Sequence, residues 1–188
     1  NHYEKEYPYL LVSNLLKKIH NSKILADNDY NPFFRLSSYE DLVKSLGYIH
    51  TLDYFKTKED FFSYQGILYA SPKKLCHGDS QPSNFIYSDK YLFTVDFEYC
   101  GNGDPIYDIA CFANIKLEQG ERLMKEYFIK PTKEEWQRFY LWRAFQCLQW
   151  HNVALFKEIK GMSISLKIDF KIVANNYLAK AKELLKKL

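Results

Sequence analysis

The sequence turns on His77-Gly78-Asp79-Ser80-Gln81-Pro82-Ser83-Asn84 and, shortly after it, Leu92-Phe93-Thr94-Val95-Asp96-Phe97-Glu98-Tyr99. As chemistry, the two segments offer an aspartate, an asparagine five residues on, and a second aspartate at the end of a β run. Phosphoryl transfer calls for such a set. One carboxylate orients or deprotonates the attacking hydroxyl, while an amide oxygen and a second carboxylate hold Mg²⁺ on the phosphates. Between the segments, Phe85-Ile86-Tyr87 and Tyr91-Leu92-Phe93-Thr94-Val95 flank Ser88-Asp89-Lys90, the pattern of a β-hairpin. Such a hairpin leaves from Asn84 and returns at Asp96, so two residues distant in sequence can point at one metal.

Around this hairpin the chain reads as helices. After a polar and aromatic entry segment, Asn1 to Pro8, apolar residues at Leu11, Leu15, Leu16 and Ile19 predict a helix from Tyr9 to about His20. Asp27-Asn28-Asp29-Tyr30-Asn31-Pro32 reads as a loop. Ser38-x-x-Asp41 has the form of a capping box and predicts a helix through Leu42, Leu46 and Ile49, with a further helix over Glu59 to Tyr69. Pro72-Lys73-Lys74 breaks the pattern ahead of His77. Gly101-Asn102-Gly103-Asp104-Pro105 reads as a turn, followed by helices over Ile106 to Lys116 and Glu118 to Phe128. Thr132-x-x-Glu135 is a second capping box, opening a long aromatic helix that Gly161 closes. The last helix, about Ser165 to Leu188, places Phe170, Val173, Tyr177, Leu184 and Leu188 on one stripe with lysines opposite. The expectation is a mainly α single domain over residues 1–188 with one small β-hairpin carrying the chemistry.

The bulk numbers narrow the class. With 188 residues the chain can bury one ordinary core. The formal net charge of +3 makes no case for a nucleic-acid or membrane footprint. Cys76, Cys100, Cys111 and Cys147 are scattered without a C-x-x-C pair, as in a cytosolic protein with reduced thiols. No apolar run reaches the ~20 residues of a membrane span. A soluble cytoplasmic domain is therefore expected, with neither a nucleic acid nor a membrane as partner.

The spacing His77-x-Asp79-x-x-x-x-Asn84 is that of a kinase catalytic loop, with Asp96 in the place of the metal-binding aspartate. Asp96-Phe97-Glu98-Tyr99 in place of Asp-Phe-Gly tells against a protein kinase. Together with Gly103-Asp104-Pro105-x-Tyr107-Asp108-Ile109-Ala110, these motifs resemble the choline/ethanolamine kinase and aminoglycoside phosphotransferase superfamily, and Gln81 resembles choline kinases in particular. Leu16-Lys17-Lys18-Ile19-His20 and Asn31-Pro32-Phe33 look similar to that family's opening helix and loop. The resemblance implies the C-terminal lobe of the protein-kinase-like fold, with ATP as co-substrate and Mg²⁺ as cofactor. Phosphate would pass to the hydroxyl of choline or a similar small amino alcohol.

Asp79 is then similar to the catalytic base, Gln81 to the glutamine near the phosphates, and Asn84 and Asp96 to the metal ligands. Glu98 and Tyr99 fall where the family's substrate pocket begins, and Asp108 resembles the carboxylate that buttresses the loop. Of seven glycines only Gly101 and Gly103 form a G-x-G, beyond the catalytic loop. The chain is thus expected to be the C-terminal lobe without its nucleotide-covering N-terminal partner, inactive alone. Aminoglycoside, ethanolamine and thiamine kinases are the alternatives, as is an inactive ligand-binding module.

Some of these residues also have plainer readings. His77 fits a structural imidazole beneath the loop. Asp104 fits a cap on the following helix. Trp150 is either core or part of an aromatic cage for a quaternary ammonium, which offers no hydrogen-bond donor and is held by ring faces. Tyr99, beside Glu98, has the same two readings.

Overall fold

A computed structural model describes residues 8–69, 71–88 and 91–188. The entry segment before Pro8, and Asp89 and Lys90 of the hairpin turn, lie outside the described residues. In chain order the elements are α1 (Tyr9–His20), α2 (Pro32–Ser45), α3 (Leu52–Ser63), α4 (Gln65–Leu68), β1 (Lys74–Cys76), a 3₁₀ turn (Pro82–Asn84), β2 (Phe85–Ser88), β3 (Tyr91–Thr94), β4 (Gly101–Gly103), α5 (Pro105–Phe112), α6 (Leu117–Phe128), α7 (Lys133–Ile159), α8 (Met162–Leu166) and α9 (Phe170–Leu185). The mostly helical expectation and the β2–β3 hairpin both hold, with Phe85 paired to Thr94 and Ser88 to Tyr91.

Two contact-dense units make up the chain: Asn1–Tyr30 with Ser71–Trp136, and Asn31–Ala70 with Gln137–Leu188. The core of the first joins Val12 and Leu16 of α1, Ile106, Ile109 and Phe112 of α5, and Leu123 and Met124 of α6, all at most 1% exposed. A second antiparallel sheet here was not expected. β1 pairs with β4, Cys76 facing Gly101 and Lys74 facing Gly103, so Gly101-Asn102-Gly103 is a strand and not a turn. The Asn102 side chain also binds the Ala26 backbone in both directions, at 2.9 and 2.8 Å, and ties the incoming loop to β4.

The core of the second unit is assembled from Val43, Tyr54, Phe61, Phe145, Leu148 and Ala174, among others, none of them exposed. Helix α2 starts earlier than predicted. Asn31 accepts from the Phe34 amide at 3.0 Å with Pro32 at the first position, while Ser37 and Ser38 donate to the Phe34 carbonyl from inside the helix. Likewise α3 begins at a Thr51 cap, which accepts from the Tyr54 amide. Gly47, in the left-handed region at φ 86°, separates the two.

The Thr132 capping box is as expected, with the Thr132 and Glu135 amides each held by the other's side chain. Helix α7 is buried on every side through its middle, from Leu141 to Gln149. The final helix is broken into α8 and α9. The buried stripe of α9 runs through Phe170, Ala174, Leu178, Ala181 and Leu184, with Val173 and Tyr177 only half-buried. Alanines there let helices approach more closely than the predicted valine and tyrosine stripe would.

All four cysteines are free, and burial pushes the Cys76 and Cys147 thiols up. Among the described residues no helix is long and apolar enough to cross a membrane.

Candidate active site

The loop from His77 to Gln81 leaves β1 and is fixed from below by one carboxylate. Asp108, in the first turn of α5, is completely buried. Its Oδ2 accepts from the His77 amide at 2.8 Å and its Oδ1 from the Gly78 amide at 2.9 Å. Oδ2 also faces His20 Nε2 at 2.9 Å, and His20 Nδ1 meets the Tyr127 hydroxyl at 2.9 Å. Burial alone would push the Asp108 carboxyl up, but the hydrogen bond and charge of His20 and the two loop amides outweigh it and hold it below the usual carboxylate range. His20, Cys76 and Asp108 bring ligand-type atoms within 4.8 Å of one another. Both Asp108 oxygens already serve the loop, so the trio acts as a buttress. Ser80 completes it by donating to the Asp108 carbonyl at 2.5 Å.

His77 is itself fully buried. Its Nδ1 accepts from the Asp79 amide at 3.2 Å, which requires the proton on Nε2, and Nε2 donates to the Val95 carbonyl at 2.9 Å. One imidazole therefore spans from the loop to the end of the hairpin. Its ring packs on Phe97 with centroids 4.4 Å apart. Gly78 has φ 80°, and a Cβ added there would stand 2.1 Å from the Tyr99 carbonyl oxygen. Only glycine allows the loop to lie on the Tyr99 backbone.

Above this base sit the predicted chemical groups. Asp79 Oδ2 accepts from Gln81 Nε2 at 3.2 Å and from Asn84 Nδ2 at 3.3 Å, and Asn84 Nδ2 also donates to the Asp79 carbonyl at 2.8 Å. The Asn84 carbonyl accepts from the Val95 amide at 3.0 Å and from the Thr94 hydroxyl at 3.1 Å, which pins the start of the hairpin to its end, next to Asp96. Asp96 is exposed and takes φ 69°, a strained choice for a residue with a Cβ and one that aspartate tolerates better than most. Glu98 is exposed and Tyr99 half-buried, both in the loop after β3. Trp150 lies in the second unit, on α7, half-buried and stacked against Tyr177 with centroids 6.3 Å apart.

Hydrogen bonds thus bring Asp79, Gln81 and Asn84 together, and they place Asp96 one residue from a bond to Asn84. The amide oxygen of Asn84 and the carboxylate of Asp96 are hard oxygen donors, which suits Mg²⁺ better than a softer metal. Two residues escaped the sequence reading as site residues. His20 was legible only as part of an opening helix, although a histidine in the last turn of an amphipathic helix is a candidate buried partner. Asn114 donates through Nδ2 to Gln81 Oε1 at 3.2 Å and belongs to no motif.

Residues 37–142 match the family model described as the phosphotransferase enzyme family. Protein LicA of Haemophilus influenzae is 28% identical over 127 residues, 65% of this chain and 48% of LicA. The chain therefore spans about half the length of that curated relative. A choline/ethanolamine kinase family protein from Mesorhizobium loti has the same fold at a TM-score of 0.79 and 22% identity, over 94% of this chain and 62% of that one. Choline kinase LicA from Streptococcus pneumoniae superposes at a TM-score of 0.75 and 23% identity, over 96% of this chain and 64% of its own. The fold is the mostly helical, protein-kinase-like one of these kinases, and the chain belongs to the phosphotransferase enzyme family.

Proposed function

We propose that this chain carries the catalytic and substrate-binding lobe, residues 1–188, of an ATP- and Mg²⁺-dependent kinase acting on the hydroxyl of choline or a similar small amino alcohol. The observation that carries this reading is the Asp79 carboxylate, fixed by Gln81 and Asn84, beside a hairpin that returns at an exposed Asp96. Asp79 orients the acceptor hydroxyl and takes its proton. Asn84 and Asp96 would hold Mg²⁺, which when bound neutralises charge on the transferring phosphate. Gln81 would lie near the phosphates. Glu98 and Tyr99 bind the acceptor, the carboxylate answering its positive charge and the ring face its methyl groups, while Trp150, in the other unit, keeps its two readings of core and cage. His77 and Asp108 support the loop. An ATP-dependent reaction of this kind belongs in the cytoplasm.

The test is acceptor-dependent ADP release from MgATP by the intact protein that carries this chain, with choline, ethanolamine, thiamine and an aminoglycoside compared. Turnover with choline or ethanolamine is expected, and Asp79→Asn should lower kcat by about 10²-fold or more. Turnover with none of the four, or full activity in Asp79→Asn, overturns the proposal.

A further inference from the structure

Outside the motifs, one side chain reaches into the catalytic loop from the far end of α5. Asn114 lies two residues beyond that helix, and its amide donates to the Cys111 carbonyl at 3.1 Å, so its backbone follows the helix end. Its Nδ2 donates to Gln81 Oε1 at 3.2 Å, and Gln81 Nε2 donates in turn to Asp79 Oδ2 at 3.2 Å. A carboxamide has one donor end and one acceptor end. Gln81 can therefore help Asp79 in one orientation only, since the opposite one would aim Oε1 at a carboxylate. A donor at Asn114 selects the helpful orientation by occupying the oxygen.

We propose that Asn114 is a positioning residue for the catalytic loop, setting the orientation of the Gln81 carboxamide so that its N–H₂ faces Asp79. The proposal rests on the reading of Asp79 as the group that handles the acceptor hydroxyl. Polarity runs one way along the chain, from Asn114 to Gln81 to Asp79, so the substitution that matters most is one that reverses it. Asn114→Asp keeps the size of the side chain and presents an oxygen where Nδ2 stood. Gln81 then turns its N–H₂ toward the new carboxylate and its oxygen toward Asp79, which loses the hydrogen bond that Gln81 gave it. Asn114→Ala only releases Gln81, which can still donate to Asp79 part of the time. Asn114 is half-buried at a helix end, where either variant is tolerable.

The order of the two variants is the signature. In the intact protein, Asn114→Asp should lower kcat about tenfold and Asn114→Ala about two- to threefold, with the acceptor KM little changed. The Gln81 side-chain N–H₂ signals of the intact protein, followed by ¹⁵N NMR, should move further in Asn114→Asp than in Asn114→Ala, a readout that needs no turnover. Equal losses in both variants, a larger loss in alanine, or unmoved Gln81 signals in Asn114→Asp would each reduce Asn114 to a packing role. If Asp79→Asn keeps its activity, the kinase reading falls, whereas the Gln81 signals still decide the link from Asn114 to Gln81.

Discussion

At Gly78 two independent demands meet. The backbone stands at φ 80°, and the space for a Cβ is filled by the Tyr99 carbonyl oxygen at 2.1 Å. Gly47 makes the first demand alone, at φ 86° with nothing within 4 Å of an added Cβ. Gly47→Ala should therefore cost about 1 kcal/mol, the price of a left-handed residue with a side chain. Gly78→Ala must also move the loop off the Tyr99 backbone, so it should cost at least about 2–3 kcal/mol and disturb Asp79. Urea unfolding of the two variants checks this, and equal midpoints would show that the Tyr99 contact yields easily. At this scale the sequence was informative. His77, Asp79, Asn84 and Asp96 stood at legible spacing because the loop and hairpin that join them are local. His20 and Asn114 did not, since each meets the loop through contacts between residues 88 and 33 positions apart.

Among the elements, α5 does most to hold the loop. Asp104 caps it, accepting from the Ile106 amide at 3.0 Å and from Ser71 at 3.1 Å. Asp108 in its first turn takes the His77 and Gly78 amides, and Asn114 beyond its end takes Gln81. Removing the cap should loosen all three grips at once. Asp104→Ala is expected to destabilise the protein by about 1–2 kcal/mol and to speed amide exchange at Gly78. Asp169→Ala is the control. It uncaps α9 by removing the acceptor for the Ile172 amide and should leave Gly78 protection as it was. Faster exchange at Gly78 in the control, or none in Asp104→Ala, would separate the cap from the loop.

Where element prediction succeeded or failed follows from locality. The Thr132–Glu135 box was readable because both of its bonds close within four residues. Ser38-x-x-Asp41 has the same hydroxyl-to-carboxylate spacing, but its serine bonds back to the carbonyl four residues earlier, an alternative the pattern cannot distinguish. The β1–β4 pair was invisible because Gly-Asn-Gly has no strand propensity and its pairing is made from a distance.

For the whole molecule, the two contact-dense units carry different acid-sensitive groups, and each unit is built from two separated stretches of chain. That discontinuity left no linker to see in the sequence, and we still read residues 1–188 as one functional lobe. In the second unit His151 is buried. Burial holds its imidazole below the usual histidine range, with nearby His50 adding to the effect and a 2.9 Å bond to the Ala174 carbonyl opposing it. Its neutral form is the folded one, so its contribution is present above the unfolded value of ~6.5 and is lost as pH falls through the lower folded value. In the first unit Asp108 is held down, so its contribution is present above ~3.9 and is lost only at more acid pH. Acidification should thus weaken the units in order. As pH falls below about 6.5, exchange protection should fall in α9 around Ala174 while the His77 and Gly78 amides keep theirs, and the latter should give way only below about pH 4. His151→Phe should flatten the first phase and Asp108→Asn the second, the latter at a cost of about 3 kcal/mol at neutral pH for replacing one of the two oxygens that His20 and the loop amides use by an N–H₂ group. Hydrogen exchange followed across this range in the three proteins decides it. Loss of protection in both units at a single pH would mean that neither buried group governs its own unit.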